Sequence, residues 1–430
     1  MKWFFFVLLL FKGLSASGKV FHVGAQHPYK TIKSALAVTN GGDTVYIHKG
    51  LYKEGNIIVQ KAITIIGIDR PILDGDKKYE VLSIKSSYVT IKGLRVQHSG
   101  YASLDDPGGI KVYEATKVTI IDNELFDNFF GIYIQFSTHC IIQNNKIIAF
   151  GKEEQTIGNG IHCWKSDSLQ IIGNSMKGCR DGIYFEFVNN SVIWRNTVTD
   201  NIRYGLHFMN SNNDAYFTNI FSRNGAGVAV MFSKKITMMN NTFNENWGDA
   251  AYGLLFKEIS DCHLSGNHFN KNTAAIFMDG SNRTIVENNV FSNNGWGLKI
   301  QANCMDNIIQ KNNFIKNTFD VSTNGTLLLN IFSQNYWDKY SGYDLNKDKI
   351  GDVPYRPLSL YSVIVESNPT AMILFRSFFV SLLDQSEKKI PSLTPENFID
   401  NKPRSAFWLC KLRRPRRDKS LRSNESYHYR

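Results

Sequence analysis

The sequence predicts a right-handed parallel β-helix, and three observations carry that expectation. A Gly or Ala followed by a branched apolar residue recurs at 109, 131, 160, 182, 205, 227, 253, 275 and 297, most often 22 residues apart. Each recurrence opens an alternating segment such as GIYIQF, GIYFEF, GLHFMN or GVAVMF. Fourteen residues beyond the first eight openings stands an Asn: Asn123, Asn145, Asn174, Asn196, Asn219, Asn241, Asn267 and Asn289, with Asn312 or Asn313 in the ninth unit, where the register drifts. Two or three short strands per repeat bury no core alone, whereas stacking each turn on the next does. An Asn that returns at the same bend can stack on itself and pass amide hydrogen bonds along the axis. A leucine-rich repeat would need its own Leu spacing and a helical segment, and a repeat this short cannot build a four-stranded propeller blade.

In chain order, residues 1–17 read as a signal peptide. Lys2 precedes nine apolar residues, Trp3 to Phe11, and small residues place cleavage after Ser17. That run is shorter than the about 20 residues a membrane span needs. The β-helix with its N-terminal cap is assigned to 18–335. The stretch YKTIKSALAVTNGG supplies a short capping helix, AITIIGID and YVTIKGLRV continue the coil less regularly, and GKEEQTIGN and NWGDAAYG protrude as loops. Residues 336–400 read as a polar, turn-rich loop and then an apolar helical docking segment. Within it, 371–383 are apolar except for Arg376, Ser377 and Ser381, which implies burial, either as a cap on the β-helix or against another protein. Residues 401–430 form a basic flexible tail.

The formal charge of +11 is uneven, because residues 411–430 alone contribute eight Lys/Arg against two acids. A blocky basic end is a solvated tail before it is a ligand site, and the body does not read as a nucleic-acid binder. Six cysteines, at 140, 163, 179, 262, 304 and 410, lack CxxC or zinc-like spacing and read as buried free thiols.

Alternation along each opening strand sends the second and fourth residues after the Gly outward. The first outward column runs Tyr133, His162, Tyr184, His207, Ala229, Leu255; the second runs Gln135, Trp164, Glu186, Met209, Met231, Lys257. Met209 and Met231 then stack directly, with His207 beside Met209, Glu186 one turn back and His162 two turns from His207. Two thioethers beside an imidazole suit Cu(I), the alternative being an incidental surface. His207, Met209 and Met231 are therefore the candidate copper ligands, with Glu186 and His162 as neighbours. In DLNKDKIGD, Asp344, Asn346, Asp348 and Asp352 match positions 1, 3, 5 and 9 of an EF-hand loop. Lys349 stands where Gly is expected and Tyr355 where a Glu is expected, so a weak Ca²⁺ loop and a plain acidic turn both remain open. Glu186 and Asp279 lie four turns apart with no acidic stack, so no catalytic residue is assigned. A carbohydrate-active β-helix enzyme, a lyase or hydrolase using the outward aromatics, is the alternative reading.

Three segments, YGLHFMNS…NGAGVAVMFS, AAYGLLFKEISD and YWDKYSGYDLNKDKIGDVPYRPLSLYSVIVESNP…SLLDQSEKKIPSLTP, resemble the NosD family, the exported β-helical accessory proteins for nitrous oxide reductase maturation. The resemblance spans roughly 19–400. It implies a periplasmic, non-enzymatic protein that carries Cu(I) on a His-x-Met and a following Met, here His207, Met209 and Met231. The implied partners are an ABC-type permease (NosY-like) with its ATPase (NosF-like), a copper chaperone lipoprotein (NosL-like) and the reductase, with the apolar C-terminal helix as anchor to the permease. The family reads DGDG where this chain has NKDK.

Overall fold

The computed structural model describes residues 18–101, 106–151, 153–325, 329–390 and 398–407. Its strands form three parallel sheets of 14, 12 and 13 strands, and each sheet gathers every third strand of the chain. Each strand pairs with its counterparts one turn away, as Phe130–Gln135 does with Gly108–Tyr113 and Ile161–Trp164. This is the β-helix that the repeat predicts. Residues one and three after the opening Gly face the interior: Leu206, Phe208, Val228 and Val230 are fully buried.

The corners explain the recurrent Asn. The residue before each ladder Asn, from Asp122 to Lys311, holds a left-handed φ of 53 to 69°, and only two of the nine, Gly173 and Gly266, are glycines. Such a backbone costs about 1–2 kcal/mol for a residue with a Cβ. Each ladder Asn offsets it by donating Nδ2–H to the next Asn Oδ1 at 2.9–3.0 Å, unbroken from Asn123 to Asn335 and passing through Asn312 rather than Asn313. Asp400 ends the ladder, accepting Asn335 N–H at 2.9 Å and Nδ2–H at 3.1 Å. Five residues further along each turn runs a second ladder, which the repeat spacing did not reveal: Asn201, Asn224, Asn246, Asn272, Asn294 and Asn317. Inside the coil, Phe221, Phe243, Phe269, Phe291, Phe314 and Trp337 stack with centroids 4.2 to 5.6 Å apart.

Helix Ile32–Val38 caps the N-terminal end, with Thr31 accepting Ser34 N–H and the Glu54 carboxylate accepting Ile32 and Lys33 N–H. At the other end the apolar run 371–383, expected to be helical and to cap the β-helix or dock on another protein, is not one continuous helix. It divides between a 3₁₀ turn, Pro369–Leu374, and helix Phe378–Lys389, because Arg376 at φ 65° breaks the path. Tyr361 and Val365, from helix Leu360–Ser367, join Val380 against Phe319 in a small core, while Ile373 and Phe378 stand 88 and 83% exposed. Residues 398–404 rejoin the last turn through Phe398, Asp400 and Arg404, so packing continues past 401. Residues 1–17, expected to be a signal peptide, and residues 408–430 of the expected basic tail lie outside the described residues. Among the described residues no helix is long and apolar enough to cross a membrane.

Candidate functional site

Strands Ile183–Glu186, Tyr204–Met209 and Ala226–Met231 fix the register of the outward columns. Tyr184 lies opposite His207, Glu186 opposite Met209, and Met209 opposite Met231. The two thioethers are thus vertical neighbours, about 4.8 Å apart along the backbone ladder. Met209, Met231 and Glu186 are half-buried.

His207 departs from the surface position expected of it, being only 4% exposed. Tyr184, one turn back, and Tyr204, just before the opening Gly205, cover its ring at 4.9 and 4.8 Å. Neither ring nitrogen has a hydrogen-bond partner among the described residues. Facing it is Asp181, fully buried. One Asp181 oxygen accepts Tyr204 N–H at 3.2 Å; the other lies 3.6 Å from His207 Nδ1 and is itself without a hydrogen-bond partner among the described residues. At 3.6 Å this carboxylate stands just outside hydrogen-bond reach of Nδ1; closing that gap would orient the imidazole and leave Nε2 for a metal. Sequence reasoning missed Asp181. Its signal was an acid directly before the opening Gly182, in a column whose other members, among them Phe130, Asn159, Tyr204 and Trp296, carry no charge.

His162 stands apart from this cluster. The Tyr184 ring lies between it and His207, 4.8 Å from one and 4.9 Å from the other. Asn159 Nδ2–H donates to its Nδ1 at 3.0 Å, and burial, with the Arg180 and Lys111 charges, pushes the imidazole down to about 3, so it is uncharged. Glu186 accepts the Tyr184 hydroxyl at 3.3 Å; burial, then the Glu186 charge, raises that phenol above its ordinary range and keeps it a donor. Below Glu186 on the same face opens a cleft of about 900 Å³, lined by Tyr101, Tyr113, Tyr133, Trp164 and Glu80 among others.

The DLNKDKIGD loop is exposed and its oxygens serve its own backbone. Asp344 accepts Asp348 and Lys349 N–H, Asn346 accepts Asp348 N–H, Asp348 accepts Ile350 N–H, and Asp352 accepts Leu345 N–H. Among the described residues, its carboxylates are not gathered within 4.8 Å of one another. The cysteines at 140, 163, 179, 262 and 304 are buried and free; Cys410 lies outside the described residues. Burial pushes Cys140 up to about 11 and Cys179 and Cys262 up to about 12, so these thiols stay protonated and offer no thiolate.

Fold and site together define a right-handed β-helix whose outer face carries aromatic, imidazole and thioether columns in register. Two family models match it: residues 51–157 fit the right-handed β-helix region, and residues 149–349 fit the periplasmic copper-binding protein family (NosD). Two relatives are each named a probable ABC transporter binding protein NosD. The one from Pseudomonas aeruginosa is 28% identical over 78% of this chain and 84% of its own, and the one from Stutzerimonas stutzeri is 26% identical over 67 and 70%. The chain is thus similar to NosD-type proteins, through the family model over residues 149–349 and through both relatives over two thirds or more of its length. Among solved structures, the catalytic unit of an α-1,3-glucanase from Streptomyces thermodiastaticus shares the fold with a TM-score of 0.56, at 13% identity over 71% of this chain and 65% of that one.

Proposed function

We propose that the chain handles Cu(I) as cargo at Met209, Met231 and His207 in the periplasm, serving nitrous oxide reductase maturation while docked on an ABC-type membrane complex. The observation that carries this reading is His207: buried, without a hydrogen-bond partner on either nitrogen among the described residues, with the Asp181 carboxylate 3.6 Å from its Nδ1, and on the same strand face as a thioether pair. Leaving a buried polar group unpaired costs roughly 1–3 kcal/mol, which a ligand role would repay. The donor chemistry agrees, since two soft sulfurs and one imidazole nitrogen suit Cu(I) and leave the ion open on one side for transfer. Glu186 adjoins Met209 as an outer neighbour, whereas His162, behind Tyr184, has no direct part. The loop at 344–352 is not needed for this reading, its oxygens accepting amides of its own backbone.

The periplasmic setting and the copper cargo follow the family's description, and the ABC-type complex follows the relatives' names. The permease with its ATPase, the chaperone lipoprotein that supplies copper and the reductase that receives it are the partners proposed. The reading is of a binding and transfer protein, not a catalyst. Replacing Met209 and Met231 together by Leu nearly conserves volume and apolarity, so the fold should survive. Anaerobic Cu(I) titration should then lose its tightest equivalent, and X-ray absorption of the loaded parent should report sulfur and nitrogen ligands. An oxygen-dominated spectrum, or one unchanged in the double variant, overturns the site.

The aromatic cleft below Glu186 favours a second reading, as a binder of carbohydrate. Its aromatic faces and adjacent polar groups are what sugar rings stack on. Protection of Trp164 fluorescence by uronic-acid oligosaccharides, with Cu(I) binding unaffected by the Met209 and Met231 substitutions, would favour it over copper handling.

A further inference from the structure

The first two turns of the coil gather three histidines that the outward columns do not include. His22 lies on strand Val20–Val23, opposite Tyr46 of strand Thr44–Ile47, and His48 follows that strand directly. Alternation puts His22, Tyr46 and His48 on one outer face, while Val23, Val45 and Ile47 fill the core. His48 is tied back through its N–H to Val23 O at 2.9 Å, and its carbonyl accepts the Tyr52 hydroxyl at 2.7 Å. His27 arrives from the turn that follows Val20–Val23, which closes through His27 N–H to Gly24 O and Gly24 N–H to Tyr29 O.

The three rings converge. His22 Nδ1 and His48 Nε2 are 3.0 Å apart, the His27 and His48 rings lie 3.8 Å apart, and one nitrogen from each of the three falls within 4.8 Å of the others. This is the only such group of His, Cys, Asp or Glu among the described residues. Gly24 makes the space for it: a Cβ there would come within 2.9 Å of His27 Cδ2 and 3.2 Å of the His48 Cβ. A tetrahedral ion with bonds of about 2.0–2.1 Å to nitrogen needs ligand atoms roughly 3.3 Å apart. That separation falls within the range of the cluster, which is open to solvent for a fourth ligand.

We propose that His22, His27 and His48 form a second metal site at the N-terminal cap, taking a borderline divalent ion of the Zn²⁺ class. Three nitrogens without sulfur select such an ion over Cu(I). The site is separate from Met209 and Met231 in position, donor type and preferred oxidation state, and it stands whether or not those residues carry copper. Bound metal would staple the turn 24–29 to the second turn of the coil.

Titration of the full chain with Co²⁺ alone should give a saturable single equivalent with an intense visible band of four- or five-coordinate nitrogen ligation, displaced by Zn²⁺. The triple substitution His22→Asn, His27→Asn and His48→Asn should weaken binding at least tenfold, and the Met209→Leu, Met231→Leu protein should bind as the parent does. Should the triple variant misfold, His27→Asn alone, in the exposed turn, and the imidazole count from X-ray absorption of the Zn²⁺-loaded parent decide the matter. Two or three imidazoles support the site. An octahedral oxygen spectrum, undiminished binding in the histidine variants, or loss of binding in the methionine variant overturns it.

Discussion

Asp214 shows how one residue can couple the fold to pH. Its side chain is buried just before strand Ala215–Phe217; one oxygen accepts Ser191 N–H at 2.8 Å and the other has no hydrogen-bond partner among the described residues. Burial, opposed by that hydrogen bond, pushes the carboxyl up to about 8. A carboxyl raised in the folded state binds a proton that the unfolded chain has released. Stability from this group is therefore full below the unfolded value of about 4 and falls as pH rises towards 8. Asp214→Asn keeps the acceptor for Ser191 and removes the titration. Urea unfolding between about pH 5 and 8 should show the parent losing stability relative to the variant by up to about 1.4 kcal/mol per pH unit. Parallel curves would mean that Asp214 is ionised in the folded protein. The copper candidates meet the same physics from the other side: the sequence places Met209, Met231 and His207 in register, but exposure depends on neighbours across a turn, so the covering Tyr204 and the facing Asp181 were not legible from spacing.

At the scale of the element, the Asn corner is the unit that repeats. Asn219 donates Nδ2–H to Asn241 Oδ1 and to Ile193 O, both at 3.0 Å, and its own Oδ1 accepts Asn196 N–H and Nδ2–H. Asn219→Leu strips partners from both adjacent turns while Thr218 remains at φ 55°. The denaturation midpoint should fall by an amount equivalent to about 1–3 kcal/mol, whereas Lys257→Ala on the exposed strand end should change little. Equal, negligible effects would contradict the ladder. This element was legible because a polar residue that returns at one fixed spacing, between strands of branched apolar residues, must satisfy its amide inside the stack. The second Asn ladder and the Phe column cover fewer turns, beginning only at Asn201 and Phe221. They went unread because Phe and Asn are abundant throughout this chain, so neither column stands out without the corner geometry. The apolar run 371–383 failed as a single helix for a different reason: periodicity carries no sign of the left-handed Arg376.

The whole molecule presents two unlike ends. The N-terminal cap is small and polar with its histidines, while the C-terminal side carries Ile373, Phe375, Phe378 and Phe379 on the surface. Exposed aromatic and branched residues this close together are the composition of a docking face, which is where the proposed attachment to a membrane complex would fall. Ile373→Ser with Phe378→Ser removes two of the most exposed of these side chains without touching Tyr361, Val365 or Val380. The variant should fold with the parent's thermal midpoint and lose co-purification with the permease. Retained association would move the dock elsewhere. Truncation at 366 is a poorer test, because it also removes Phe398 and Asp400 from the last turn.

Asp400 has a consequence for assembly. Every turn of a parallel solenoid is a template for another, and the final strands, Leu329–Ser333 and Tyr336–Trp337, would otherwise offer open edges together with an unclosed column of amides. A second molecule docking there head to tail would present its own open end to a third, and such growth does not close into a ring. A carboxylate accepts but cannot donate, so it receives the last Asn and passes nothing on. That carboxylate closes the amide column while residues 398–404 pair with the last strands, and together they make this coil a finite object rather than the first segment of a fibre.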